Sequence, residues 1–113
     1  MTVETKFIEP IRSLVDTLVQ GHFDQLEHDG RSGRLSAHEL QEALHAYGRT
    51  LITLPDEAFR LTEAYPVAGQ YATWAVDVPL WTAEEGRSDL TLSLTVCDDQ
   101  KGVHLEIDDL HTL

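Results

Sequence analysis

The apolar residues of this chain change their spacing part-way along, from a period of 3.6 to a period of two, and that switch limits the possible folds more than any other feature. Before it, Phe7, Ile8, Ile11, Leu14, Val15, Leu18, Val19, Phe23 and Leu26 recur at the spacing of a helix with one covered flank. From Tyr71 onward, Ala72, Trp74, Val76 and Val78 alternate with Tyr71, Thr73, Ala75 and Asp77. Leu90, Leu92, Leu94 and Val96 then alternate with Thr91, Ser93, Thr95 and Cys97, and Val103, Leu105 and Ile107 with His104, Glu106 and Asp108. Side chains on a strand point alternately to its two faces, so each of these segments reads as a strand with one buried side.

Local signals set the bounds. Pro10 suits a first helical turn, so a first helix is expected over about 9–28, ended by Asp29-Gly30 and weakened at Gly21. Ser36 and Glu39 have capping-box spacing, Leu35 and Leu40 occupy the staple positions, and Gly48 suits a C-terminal cap, giving a second helix over about 37–47. Thr50 to Leu54 leads to Pro55-Asp56-Glu57, which can open a short helix, and Tyr65-Pro66 through Gly69 reads as loop. Strands are expected over about 71–79, 89–97 and 102–108, the last two forming a hairpin through Asp98 to Gly102. Helices first and strands last predict an α+β fold: two N-terminal helices packed on one face of a C-terminal antiparallel three-stranded meander, with residues 1–113 forming a single domain. The other face is polar and carries Tyr71, Thr73, Asp77, Thr91, Ser93, Thr95, His104, Glu106 and Asp108.

Charge narrows the partners. Twenty acidic residues against eight Lys and Arg give a formal charge of −12, which repels nucleic acid and anionic lipid and favours a basic protein partner, or serves solubility. In the C-terminal third, Asp77, Glu84, Glu85, Asp89, Asp98, Asp99, Glu106, Asp108 and Asp109 face only Arg87 and Lys101. Cys97 is the single cysteine, so neither an internal disulfide nor a Cys-rich zinc site can form. The first residues lack the basic-then-apolar pattern of a secretory signal, and no apolar run reaches membrane-spanning length, so a cytoplasmic protein is expected.

Several constellations are tested by their chemistry. His28 to Glu39 has the length and last residue of a calcium loop, but His28 and Gly30 stand where calcium needs hard oxygen ligands, so a capped helix–loop–helix turn explains it as well. His38, Glu42 and His45 share one helical face, as a metal site or an exposed polar stripe would. Ser93, His104, Glu106 and Asp108 offer hydrolase residue types without an elbow motif to hold a nucleophile. No cofactor is expected, and a non-catalytic protein is the first reading. The segment Leu80 to Asp89 puts an indole, three acids and an arginine in one connection. Trp81 and Arg87 are anchor types at protein interfaces, and Glu84, Glu85 and Asp89 would steer a basic partner. Alternatively Trp81 caps the core and Arg87 pairs with a neighbouring acid.

Gly33-Arg34-Leu35-Ser36 with Glu39-Leu40, Leu54-Pro55-Asp56-Glu57-Ala58-Phe59, Leu80 through Leu92, and Ile107-Asp108-Asp109-Leu110-His111 together resemble a family of small, uncharacterised bacterial proteins, a domain of unknown function. The resemblance implies a bacterial single-domain protein and brings no activity or site residues. In general type the chain is also similar to acidic immunity proteins. The expected function is therefore a protein-binding module covering a basic partner, an immunity protein or other toxin inhibitor. Trp81, Glu84, Glu85, Arg87, Asp89, Asp77, His104, Glu106 and Asp108 are its candidate contact residues. A small hydrolase or metal-dependent enzyme, and a homo-oligomeric scaffold, are the alternatives.

Overall fold

The computed structural model describes residues 3–112. Helix α1, Thr5–Val19, buries Phe7, Ile11, Leu14, Val15 and Leu18, the stripe that the periodicity marked. It starts ahead of the expected Glu9 and carries Pro10 inside it. Proline there forgoes one backbone bond, but the added turn places Phe7 in the core, edge-on to Trp74 with ring centroids 5.0 Å apart. The expected helix over 9–28 is two helices. Gly21 takes φ 75°, a left-handed conformation open to glycine, and α2, Phe23–His28, restarts beyond it and buries Leu26.

Helix α3, Ala37–Tyr47, matches its expected bounds, and its capping box is complete. The Glu39 N–H donates to Ser36 Oγ at 3.1 Å, and the Ser36 N–H donates to Glu39 Oε1 at 3.0 Å. Gly48, at φ 74°, closes the helix. Ser36→Ala should cost about 1 kcal/mol, measured by denaturant unfolding; an unchanged midpoint would show that the cap carries no stability here.

The sheet is wider than the three-stranded meander. Its strands are β1 Leu51–Ile52, β2 Glu63–Pro66, β3 Thr73–Thr82, β4 Gly86–Asp99 and β5 Gly102–Thr112, all paired antiparallel in the order β1-β3-β4-β5, with β2 also on β3. β1 lies opposite Trp81 and Thr82, while β2 lies opposite Trp74 to Asp77, so two short strands share one edge of β3. The short helix α4, Glu57–Leu61, connects them and buries Ala58 and Phe59. Tyr65 and Pro66, read as loop, are strand residues. Two to four residues are too few to show a period of two, so only the presence of β3 identifies these segments as strands.

β4 and β5 run further than expected and β3 ends later, because irregular pairing breaks their alternation. β3 begins only at Thr73: Tyr71 and Ala72, expected on it, form the turn before it, with Ala72 at φ 48°. The register shifts between Pro79 and Trp81 and again between Ser93 and Leu94. At the second shift Asp108 is the extra residue on β5, since Ile107 faces Leu94 and Asp109 faces Ser93. Beyond a bulge each side chain changes sides relative to simple counting. The core gathers Val76, Val78, Leu80, Leu92, Leu94, Val96, Leu105 and Ile107 of the sheet with the buried residues of the helices into one cluster.

The connection between α2 and α3 touches β5. The Ile107 N–H donates to the Arg31 carbonyl at 2.8 Å, and Gly33, at φ 61°, sits where a Cβ would lie 2.3 Å from the Ile107 oxygen. The loop thereby covers part of an otherwise open sheet edge. No helix among the described residues is long and apolar enough to cross a membrane.

Candidate binding face

Opposite the core, the sheet presents a polar face whose rows are set by strand register. One row runs Glu63, Asp77, Ser93 and Asp109 across four strands. The next runs Tyr65, Ala75, Thr95 and Glu106, and a third Thr73, Cys97 and His104. Within this face Ser93 Oγ donates to Asp77 Oδ1 at 2.8 Å, and Thr95 Oγ1 donates to Asp108 Oδ2 at 2.7 Å. Glu63 and Asp77 stand directly opposite one another with like charge, an arrangement that costs stability in the free protein.

Near the β2 end the face dips into a cup of about 170 Å³ lined by Glu63, Tyr65, Asp77, Arg87, Thr91 and His111. The Tyr65 hydroxyl donates to Glu63. That hydrogen bond, then burial, then the charges of Glu63 and Asp77, hold the phenol above its ordinary value of 10.0. His111 Nδ1 lies 3.2 Å from Asp109 Oδ2 yet makes no hydrogen bond.

The structure divides the sequence-derived contact residues into two groups. Asp77, His104, Glu106 and Asp108 share the polar face, as expected. His104 Nε2 lies 3.3 Å from Asp99 Oδ1, and Glu106 is exposed. The proposed loop from Leu80 to Asp89 is instead a tight hairpin whose turn is Ala83 to Glu85. Trp81 sits on β3 at 7% exposure, within the core cluster, so it is packing rather than an exposed anchor. Glu84 accepts from the Thr50 N–H at 2.8 Å and from Thr50 Oγ1 at 2.9 Å. Glu85 accepts from the Tyr47 hydroxyl at 2.9 Å and from Thr82 Oγ1 at 3.0 Å. These acids tie the end of α3 and the start of β1 to the hairpin. Arg87 and Asp89 are exposed, and neither makes an ion pair among the described residues. Glu63, Tyr65, Asp109 and His111 join the face without having been singled out. The adjacent acids Asp108-Asp109, which interrupt the alternation, are the one trace of the bulge that brings in the last two.

The tethering carboxylates make stability pH-dependent. The backbone hydrogen bond from Thr50, then that from its side chain, lower Glu84 below its ordinary 4.5, and the Ser36 N–H does the same for Glu39. A depressed folded pKa adds stability that is complete above the unfolded value and is lost as pH falls through the folded one. Below about pH 4.5, Glu84→Gln should therefore lose less melting temperature per pH unit than the parent chain. Parallel melting curves in both proteins would show no bonus from this carboxylate.

Ser93, on the polar face, donates to the Asp77 carboxylate, and among the described residues no histidine accepts from it. On α3, His38 Nε2 lies 3.9 Å from Glu42 Oε1. Among the described residues, no group of three or more His, Cys, Asp or Glu is arranged to hold a metal ion.

Residues 15–113 match the family described as Domain of unknown function (DUF7668). The chain belongs to that family. No curated protein and no solved structure matches it. The DUF7668 match takes in α3, all five strands and the residues of the polar face.

Proposed function

We propose that this chain is a non-catalytic protein-binding module whose acidic sheet face covers a basic partner, as an immunity protein or another inhibitor of a bacterial toxin would. The observation that carries this reading is the row Glu63–Asp77–Ser93–Asp109, flanked by Glu106 and Asp108, which concentrates negative charge on one face. Acids held opposite one another repel until a cation lies between them, so a basic partner gains both attraction and relief of that repulsion. The net charge of −12 would steer such a partner from a distance, with a rate that falls as salt rises.

The test is charge reversal at exposed carboxylates that accept no hydrogen bond among the described residues, Asp109 lying 3.2 Å from His111 Nδ1 without one. A Glu106→Lys, Asp109→Lys variant should keep the parent melting temperature. It should also fail to protect cells from a toxin that the parent chain neutralises, and lose salt-sensitive capture of that toxin. Protection by the reversed variant would refute the reading. Glu84 and Glu85 are unsuitable for this purpose, because reversing them breaks the Thr50 and Tyr47 contacts and confounds binding with folding.

A further inference from the structure

β5 is an edge strand, and its edge is only partly covered. Between Gly102 and Ile107 its pairing with β4 is regular, so backbone groups point alternately toward β4 and away from it. Two bonds set which residues point away. The Ile107 N–H leaves the sheet to reach the Arg31 carbonyl, and the N–H of Asp98, the partner of Val103, points to the opposite side of β4, where it donates to Ala72. Val103 and Leu105 therefore turn their N–H and C=O groups outward, and neither takes a partner among the described residues. They open into a groove of about 580 Å³, with Pro10 and Ser13 of α1 on one wall, Asp29 to Arg31 at one end, and His104 and Glu106 at the rim. Asp29 Oδ2 and Arg31 Nη2 satisfy each other at 2.9 Å, which leaves Glu106 as the unpaired charge of the groove.

We propose that this groove takes up an extended basic segment of a partner protein, which adds to β5 as a further strand along Val103–Leu105. The proposal rests on the reading of the chain as a binder of a basic protein and names how part of that partner is held. Main-chain bonds to Val103 and Leu105 supply affinity that does not depend on sequence, and the side chains that alternate along the added strand supply selectivity. Those on the outer side meet Glu106 and the acidic face, so they are lysine or arginine. Those on the inner side meet Pro10 and Ser13, so they are small or apolar. A second copy of this chain is a poor occupant, because it would bring another −12 of charge to the same edge.

The probe is an acetylated hexapeptide of alternating lysine and valine, followed by fluorescence anisotropy and by amide NMR of the folded protein. Binding should shift the Val103 and Leu105 amide resonances and slow their exchange with solvent. N-methylation of the peptide's bonding amides, or glutamate in place of its lysines, should weaken binding about tenfold or more. Val103→Pro removes one outward donor without touching the ladder to β4 and should weaken binding to a similar degree. If that variant fails to fold, the N-methylated peptide on the parent protein decides alone. Equal affinity for the N-methylated peptide, or shifts confined to the polar face, would overturn the proposal. So would a doubled solution mass that Val103→Pro abolishes, since the edge would then serve a second copy. With the captured toxin-like protein, loss of binding in the charge-reversed variant but not in Val103→Pro would overturn strand addition and leave the acidic-face reading standing. Retention in the charge-reversed variant would remove the reading itself.

Discussion

Gly33→Ala should lower the stability of this protein by about 3 kcal/mol, read as a drop in the denaturant midpoint. Two costs combine. At φ 61° a side chain must adopt the left-handed conformation, and its Cβ would lie 2.3 Å from the Ile107 carbonyl oxygen, a backbone atom that can yield only if β5 moves. Gly30 offers the matched control. It also has a positive φ, 77°, but a Cβ there meets nothing within 4 Å, so Gly30→Ala should cost only about 1 kcal/mol. Equal losses at the two glycines would mean that the close approach to β5 carries no stability. The result bears on function as well, because Gly33 follows the Asp29–Arg31 segment that closes the end of the groove beside Val103 and Leu105.

Phe7→Ala should cost about 3–5 kcal/mol. Phe7 is fully buried, meets Trp74 at an interplanar angle of 61°, and has the Lys6 ammonium 5.5 Å from its ring centre. Truncation leaves a void between α1 and β3 and removes the aromatic pair. A loss below about 1 kcal/mol would show that the first turn of α1 does not hold the helix to the sheet. Lys6 adds a bond that this mutation need not break, since its Nζ lies 2.6 Å from Asp98 Oδ2.

Helix α3 was readable to the residue because every signal for it is local: a capping pair three residues apart, staple leucines beside it, and a glycine at its end. The long strands were readable in kind for a similar reason, as alternation needs no knowledge of the partner. The face shared by Asp77, His104, Glu106 and Asp108 followed from that alternation alone. Charge was equally plain, since the excess of acidic over basic residues is a matter of composition.

What the sequence left open depends on contacts between distant residues. β1 and β2 are too short to carry a period and become strands only because β3 offers them an edge. The bulge at Asp108 is a property of two paired strands, so Asp109 and His111 could be assigned to the polar face only from their register. Trp81 and Glu84 looked like contact residues until their surroundings were known, since an indole and a carboxylate read the same whether they face a partner or their own fold. The sequence by itself determined the helical stripe, the alternating strands and the acidity of this protein. The tertiary structure decided which acids tether the fold, which stand free on the outer face, and where an edge of the sheet remains open. Those are questions of hydrogen-bond partners, and a partner more than thirty residues away in the chain leaves no local pattern.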